Sequence, residues 1–324
     1  MSVGVVVIGR NEGERLGRCL KSLAGPERSV VYVDSGSTDA SVALARSLGA
    51  EVVELDMGTP FTAARARNAG FERLLEQRAP DLAHVQFVDG DCEMTPGWLE
   101  TAAAWLDSHP DVAMVCGRLR ERHPERTIYN LLCDIEWDAP AGEARACGGI
   151  ALARTEAFEQ ARGYRPDLIA GEEPELCVRL RARGWKIWRL ADEMALHDAA
   201  MTRFGQWWQR SVRAGYAYAE GAFLHGDAPE RHRIRESRRA WIWGIALPLA
   251  ILAAIALAGP WGMSLLALYP LQIMRLSLGG GRPLRERLLR AAFIVLGKFP
   301  EAAGQIKFRY HHLTGVKARL IEYK

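Results

Sequence analysis

The longest uncharged segment of the chain runs for 35 residues, over positions 240–274. A helix of about 20 apolar residues is enough to cross a bilayer, and helices of soluble proteins seldom run this far without a charge. The pair Gly259-Pro260 interrupts the segment near its middle, and such a pair is typical of a turn. The sequence therefore predicts two hydrophobic helices joined by a tight turn, at about 240–258 and 262–278.

Basic residues flank this helix pair on both sides and are absent from its turn. The flanking arginines are Arg235, Arg238, Arg239, Arg275, Arg282, Arg285, Arg287 and Arg290. Because positive residues stay on the cytoplasmic side of a membrane, we expect both flanks in the cytoplasm and the pair in the cytoplasmic membrane. Two alternatives stay open: a buried hairpin in a soluble domain, and a re-entrant or interfacial pair.

The charge of the chain is unevenly distributed. Residues 1–227 contain 26 Lys and Arg against 34 Asp and Glu, whereas residues 228–324 contain 16 against 5. A basic C-terminal third indicates a polyanionic neighbour, and because its positive charge brackets an uncharged segment, membrane lipids fit better than nucleic acid. We therefore expect one domain over 1–227, followed over 228–324 by a membrane-associated region with a basic amphipathic tail.

The first two hundred residues alternate between short strand-like runs and helix-like segments. Strands are predicted at 3–8, 30–33, 51–55, 84–88 and 112–115. Helices are predicted to begin at Asn11, to span 40–48 and 62–77, and to begin at Thr95-Pro96 with a cap followed by a first-turn proline. This alternation predicts an α/β fold with a Rossmann-like, largely parallel sheet. In such folds the ligand lies at the carboxyl ends of the strands.

Acidic residues follow two of these strands: Asp34 ends the second, and Asp89-Gly90-Asp91 ends the fourth. Two carboxylates one residue apart on a sharp turn suit Mg²⁺ or Mn²⁺. An isolated D-x-D is usually only a solvated turn, but its place at a strand end favours a binding site. The chain has neither G-x-x-x-x-G-K-[ST] nor a G-x-G-x-x-G after a strand, so the P-loop and dinucleotide-binding classes lack their phosphate cradle.

Five short segments stand in a distinctive order along the chain. They are Val-Val-Ile-Gly-Arg-Asn-Glu (6–12), Val-Asp-Ser-Gly-Ser-Thr-Asp (33–39), Ala-Arg-Asn-Ala-Gly (66–70), Asp-Gly-Asp (89–91) and Gly-Glu-Glu-Pro-Glu-Leu (171–176). Together they resemble the motifs of family-2 glycosyltransferases of the GT-A fold, over about residues 1–225. The resemblance implies an inverting transferase that uses a nucleotide-diphospho-sugar and a divalent cation.

The resemblance implies a nucleotide-sugar site in the first four segments. Its residues are Ile8, Arg10, Asn11, Glu12, Asp34, Arg67, Asn68, Asp89 and Gly90. Asp34 corresponds to an acid that contacts the nucleotide base, and the loop from Ile8 lies beside it. Arg67 and Asn68 correspond to a segment that covers the base and phosphate region, and Asp89 faces the ribose and the sugar.

A metal site and a general base are implied in the same way. Asp91 corresponds to the metal ligand, and His197 lies where many members have a histidine that completes the metal site. Glu172-Glu173 stands in place of a Glu-Asp pair, so Glu173 occupies the position of the general base. Two alternatives stay open: His197 as a structural residue at a strand end, and Glu172 or Glu175 as the base.

The chain departs from the family pattern at three places. Ser35 stands where a second Asp is common, and Glu173 is longer than the usual Asp by one methylene, although a Glu is chemically a competent base. The processive synthases carry Q-x-x-R-W, whereas this chain has Gln206-Trp-Trp-Gln-Arg210. We therefore expect transfer of a single sugar.

The membrane-associated region is expected to hold the active site near a bilayer. A lipid-linked glycan or a saccharide at the membrane is then the expected acceptor, in the synthesis of cell-surface polysaccharide or glycolipid. One alternative is a polyprenyl-phosphate sugar synthase, which performs the same chemistry on a phosphate. An alternative of another class is a catalytically weakened membrane scaffold, since Ser35 and Glu173 both depart from the pattern.

Overall fold

The computed structural model describes residues 2–25, 28–78, 81–316 and 321. The chain divides into two compact units, Met1–Thr202 and Arg203–Lys324. The expected boundary at residue 227 lies further along the chain than this division, because the helix Phe204–His225 packs on the helix Lys298–Thr314 within the second unit.

The first unit is built on one mixed sheet, which has nine strands in the described part of the chain. The strands are β1 (Ser2–Gly9), β2 (Ser29–Asp34), β3 (Glu51–Glu54), β4 (Leu82–Asp89), β5 (Cys92–Met94), β6 (Val112–Glu121), β7 (Gly142–Ala144), β8 (Ala151–Arg154) and β9 (Lys186–His197). Their order is β3-β2-β1-β4-β8-β6-β9-β5, and β7 pairs with β9. Strands β3, β2, β1 and β4 are parallel, β8 is antiparallel to β4 and β6, and β9 is parallel to β6. The predicted α/β fold is thus confirmed.

Helices cover both faces of the sheet, and its central strands are mostly apolar, with His84 and Gln86 of β4 as buried polar exceptions. The helices are α1 (Glu14–Leu23), α2 (Ser41–Ser47), α3 (Ala63–Arg78), α4 (Trp98–Ser108), α5 (Ile128–Trp137), α6 (Thr155–Gln160) and α7 (Glu172–Arg181). Val5, Val6 and Val7 of β1 are completely buried, and each such side chain contributes about 1.5–3 kcal/mol by its burial. Helix α3 packs close to β1 at Gly70, where a Cβ would come within 2.4 Å of Val6.

Register brings three strand ends to one edge of the sheet. Ile8 of β1 is paired with Asp89 of β4, and Gly9 is paired with Asp34 of β2. The loops after these strands therefore meet where a parallel sheet binds its ligand.

Two predicted helix starts are wrong in detail. Asn11 does not cap α1: it has a φ of 56° and its side chain accepts a hydrogen bond from Thr38, so the helix begins later, at Glu14. Thr95-Pro96 does not start α4, which begins at Trp98 after Gly97 in the left-handed conformation. In both cases a backbone turn comes between the polar residue and the helix.

The second unit is helical in its described part. It contains α8 (Phe204–His225), α9 (Ile234–Trp241), a π-helical turn (Ile242–Ala246), α10 (Leu247–Ala258), a 3₁₀ segment (Gly259–Ala267), α11 (Leu268–Ser277), α12 (Leu284–Leu296) and α13 (Lys298–Thr314). Helices α8 and α13 cross at two glycines, because a Cβ at Gly215 would lie 2.0 Å from the carbonyl oxygen of Glu301 and one at Gly304 would lie 2.0 Å from that of Val212.

The segment Ile234–Ser277 has 44 residues and is long and apolar enough to cross a membrane. Its most apolar stretch of 18 residues has a mean hydropathy of 2.3, and 6% of that stretch is buried. The chain reverses at Gly259, whose φ is +60°. Beyond the turn, the Tyr269 hydroxyl donates a hydrogen bond of 3.0 Å to the carbonyl of Trp243. The apolar segment therefore folds back on itself as a hairpin.

Candidate active site

The loop after β2 is organised by Asp34, which is only 3% exposed. One of its carboxylate oxygens accepts hydrogen bonds from the backbone of Gly36 at 3.0 Å and of Ser37 at 2.8 Å. The other accepts a hydrogen bond of 3.0 Å from the Tyr32 hydroxyl. Asp34 thus lies at the predicted edge of the sheet, where it fixes the shape of a loop; its contact with a nucleotide base stays a prediction.

The loop after β1 is joined to that loop and to the D-G-D turn. The amide of Asn11 donates to Ser37 at 2.9 Å, and the Asn11 side chain accepts from the amide of Thr38 at 2.7 Å. The carbonyl of Ile8 accepts a hydrogen bond of 2.8 Å from Gly90. Arg10 is exposed here, and Glu12 forms an ion pair of 2.8 Å with Arg15. The structure therefore brings together the loop residues Ile8, Arg10, Asn11, Glu12, Asp34 and Gly90.

Arg67 of α3 occupies the centre of an acidic cluster. Its Nη1 donates to Glu172 at 2.9 Å and to Glu173 at 3.2 Å, and its Nη2 donates to Asp89 at 3.0 Å. Its side chain is only 3% exposed. Arg67 is therefore buried and contacts three carboxylates. This position suits a residue that holds acids in place better than it suits a residue that covers a nucleotide.

The side chain of Asn68, the next residue, forms two hydrogen bonds with the backbone of Tyr164. Its Nδ2 donates to the Tyr164 carbonyl at 2.7 Å, and its Oδ1 accepts from the Tyr164 amide at 2.9 Å. The Tyr164 ring in turn lies 5.5 Å from the guanidinium of Arg67. Asn68 thus holds Tyr164 beside Arg67 at the acidic cluster. Its contact with a nucleotide-sugar stays a prediction.

Glu173 is the accessible member of the Glu172-Glu173 pair at the start of α7. Its side chain is 18% exposed, whereas that of Glu172 is 3% exposed. Burial, followed by the charge of Glu172, raises the pKa of Glu173 to about 7, although the charge of Arg67 opposes this rise. Glu175 is tied to Arg179 at 2.7 Å. Glu173 therefore has both the access and the pKa that a general base needs near neutral pH.

Gly149 was not singled out in the sequence, yet it makes the acidic cluster possible. A Cβ at this position would lie 2.3 Å from Nη2 of Arg67 and 3.0 Å from Glu173. Only the missing side chain lets the 148–149 segment approach these groups so closely. No sequence signal identified Gly149, because its neighbours Arg67 and Glu173 are distant along the chain.

Asp91 and His197, the predicted metal ligands, lie together. Nε2 of His197 is 3.0 Å from Oδ2 of Asp91, and the Trp137 ring packs on the imidazole with 4.8 Å between ring centroids. Cys92, which was not predicted, lies beside them: one ligand atom from each of the three residues falls within 4.8 Å of the others. A carboxylate, an imidazole and a thiol at this spacing fit a divalent cation.

A network of buried hydrogen bonds fixes the segment that follows His197 in the chain. Glu121 at the end of β6 accepts hydrogen bonds from the amide of Ala199 at 3.1 Å and from Asn130 at 3.0 Å. Asn130 in turn accepts from the amide of Met201 at 3.1 Å. Burial raises the pKa of Glu121. Glu121 and Asn130 thus position the segment that carries His197; sequence reasoning missed both, because each acts through contacts distant in sequence.

Comparison with known proteins agrees with this geometry. Residues 4–137 match the family model of "Glycosyl transferase family 2". The structure is similar to the mannosyltransferase PcManGT from Pyrobaculum calidifontis in complex with GDP-Man and Mn²⁺, with 19% identity, a TM-score of 0.56, and coverage of 97% of this chain and 87% of that chain. It is also similar to TarS 1–349 from S. aureus in complex with UDP-GlcNAc, with 15% identity, a TM-score of 0.50, and coverage of 97% and 92%. These likenesses show a GT-A fold, and the family match identifies residues 4–137 as a segment similar to family-2 glycosyltransferases.

Proposed function

We propose that the protein transfers a single sugar, with inversion, from a nucleotide-diphospho-sugar to an acceptor at the membrane surface, in the synthesis of cell-surface polysaccharide or glycolipid. The observation that carries this proposal is the state of Glu173: an accessible carboxyl with a pKa of about 7, held by Arg67 beside Asp89. A group of this kind removes a proton from a hydroxyl at neutral pH.

The donor site is formed by the loops after β1 and β2 and by the D-G-D turn. The backbone hydrogen bond from Gly90 to Ile8, and the backbone amides that donate to the side chains of Asn11 and Asp34, hold these loops in one arrangement before a ligand arrives. Such pre-organisation lowers the entropy cost of binding. GDP-Man and UDP-GlcNAc, which the two similar structures contain, are therefore the first donors to test.

Catalysis follows from the positions of the acids. Glu173 takes the proton of the acceptor hydroxyl as the oxygen attacks the anomeric carbon, and the nucleoside diphosphate leaves from the opposite face, which inverts the configuration. Arg67 keeps Glu173 and Asp89 in fixed places, and fixed geometry is worth several kcal/mol of the barrier. Asp91 and His197 would hold a divalent cation, Mg²⁺ or Mn²⁺, which would supply positive charge to stabilise the diphosphate leaving group.

The apolar hairpin supports an acceptor at the membrane. Several of its side chains are exposed to an extent that a water-soluble surface rarely shows: Leu252 is 63% exposed, Leu257 89% and Trp261 84%. Lipid would cover these side chains, and the arginines on either side of the hairpin suit the anionic cytoplasmic leaflet. Because both units belong to one chain, anchoring of the hairpin raises the concentration of lipid-linked acceptors around the catalytic unit.

The proposal is tested by calorimetric titration of the full-length protein, in detergent, with GDP-Man and UDP-GlcNAc in the presence of Mn²⁺. The wild type should bind one of these or another nucleotide-sugar, Asp91→Ala should lose the part of the affinity that depends on Mn²⁺, and Glu173→Gln should bind but not transfer. Binding of no nucleotide-sugar would overturn the proposal in favour of a membrane scaffold. Retained transfer in both variants would refute the assigned chemistry.

A further inference from the structure

We propose that Cys92 is a ligand of the cation site, so that the site prefers a borderline-soft divalent metal such as Co²⁺ or Zn²⁺ over Mg²⁺. This inference rests on the proposed function for its role in transfer, but the metal site itself is argued from geometry. Among the described residues, Asp91, Cys92 and His197 are the three potential ligands whose donor atoms lie within 4.8 Å of one another.

Strand pairing places the thiol and the imidazole together. Cys92 of β5 and His197 of β9 are direct partners in an antiparallel pair. Side chains of directly opposite residues lie on the same face of a sheet, with their Cβ atoms about 4.5–5.5 Å apart. The register of the sheet, rather than a flexible loop, therefore holds these two potential ligands next to each other.

The distances match one shared metal ion. Bonds of about 2.1 Å to oxygen and nitrogen and about 2.3 Å to sulfur, at tetrahedral angles, separate the ligand atoms by roughly 3.4–3.6 Å. In the structure Oδ2 of Asp91 is 3.0 Å from Nε2 of His197, and Sγ of Cys92 is 3.6 Å from Oδ1 of Asp91. The remaining pair, Sγ of Cys92 and Nε2 of His197, lies within 4.8 Å, so modest side-chain rotations would bring all three donors to one ion.

A sulfur ligand changes which metal binds. Mg²⁺ needs near-octahedral oxygen ligands, whereas thiolate and imidazole favour Zn²⁺ and other first-row transition metals. The side chain of Asp91 is 2% exposed and that of His197 is 14% exposed, so the site opens to solvent on the side of the histidine. Three protein ligands leave one tetrahedral position free, which is the arrangement of a catalytic rather than a structural site.

Titration of the full-length protein with Co²⁺ tests this proposal, because a cobalt–thiolate bond absorbs in the near ultraviolet and cobalt bound only to oxygen and nitrogen does not. The wild type should gain this band and keep it in a large molar excess of Mg²⁺. Cys92→Ser should lose the band and bind Co²⁺ about 10- to 100-fold more weakly. Mutation of a residue that only supports a metal ligand already weakens binding by this factor, so loss of a direct ligand should weaken it no less. Cys116→Ser, which alters another buried cysteine, should keep the band.

A second measurement needs no variant. X-ray absorption of the Zn²⁺-loaded wild type should detect one sulfur neighbour at about 2.3 Å. Only oxygen and nitrogen neighbours, or a cobalt band that survives in Cys92→Ser, would overturn the proposal. Sugar transfer by a protein without the metal–sulfur bond would refute this inference alone, whereas a metal–sulfur bond without any transfer would refute the proposed function alone.

Discussion

The pH dependence of transfer is expected to follow the charges around Glu173. Burial, followed by the charge of Glu172, raises its pKa to about 7, and Arg67 lowers it. The rate should therefore rise with pH through about 7, as the base form of Glu173 replaces the protonated form. Removing each neighbouring charge should move this inflection in a direction that the structure specifies.

Glu172→Gln removes the negative charge beside Glu173, so the inflection should move to lower pH. Arg67→Met removes a positive charge whose Nη1 is 3.2 Å from the Glu173 carboxylate, so the inflection should move to higher pH. An opposite charge at this range changes a carboxyl pKa by about 1–3 units, in line with roughly 4 kcal/mol for two charges about 4 Å apart near a protein surface. Arg67→Lys keeps the charge but loses the forked hydrogen bonds, and should shift the inflection less than Arg67→Met.

The assay is the initial rate of nucleoside diphosphate release by full-length protein in detergent, measured across the neutral pH range. Arg67→Met leaves three carboxylates without their cation and should lower the stability by about 3–5 kcal/mol, so each variant is assayed below its unfolding temperature. Glu159→Gln, at an exposed position, is the matched control and should leave the inflection unchanged. Shifts of Glu172→Gln and Arg67→Met in the same direction would refute the electrostatic reasoning.

Three further predictions concern stability, packing and membrane attachment. The carboxyl of Glu173 has an ordinary pKa of 4.5 and a pKa of about 7 when folded, so its contribution to stability is complete below pH 4.5 and is lost as the pH rises through about 7. Relative to the wild type, Glu173→Gln should therefore gain up to about 3 kcal/mol of unfolding free energy across that range, which thermal unfolding measures; a constant difference would contradict the raised pKa. Gly149→Ala should displace Arg67 and lower kcat by about tenfold or more with the fold intact, and an unchanged kcat would show that the close approach is not needed. Leu252→Asp should cost about 2.5–3.5 kcal/mol of membrane insertion and reduce the membrane-bound fraction in sedimentation, whereas Leu48→Asp, at an exposed leucine of the catalytic unit, should not; equal fractions would argue against the hairpin as the anchor.

The sequence predicted the parts of the fold that depend on local patterns. The β-branched run of β1 and the acids after β2 and β4 predicted the sheet edge at which the structure has Asp34 and Asp89, because strand period and turn chemistry are local properties. Strand β8, at residues 151–154, is too short to give such a pattern, and it is the antiparallel strand that separates β4 from β6. The short strands could therefore be identified only from their pairing within the whole sheet.

The finer structure of the site depends on contacts that cross long stretches of the chain. Arg67 meets Glu172 across 105 positions, and His197 meets Asp91 across 106. The resemblance to a family located these residues, but not the burial of Arg67, which changes its expected function from covering a nucleotide to positioning acids. Cys92 became a candidate ligand only through the register of β5 on β9.

The most direct test of the account uses membranes that contain either the wild type or Glu173→Gln, incubated with a panel of labelled nucleotide-sugars. The label is then followed into lipid-extractable and water-soluble products, and mass analysis distinguishes a glycan acceptor from a polyprenyl phosphate. We expect the wild type to transfer label from one donor to a membrane-associated product and Glu173→Gln to transfer none. Equal labelling by both proteins, or labelling of neither with any donor, would contradict it.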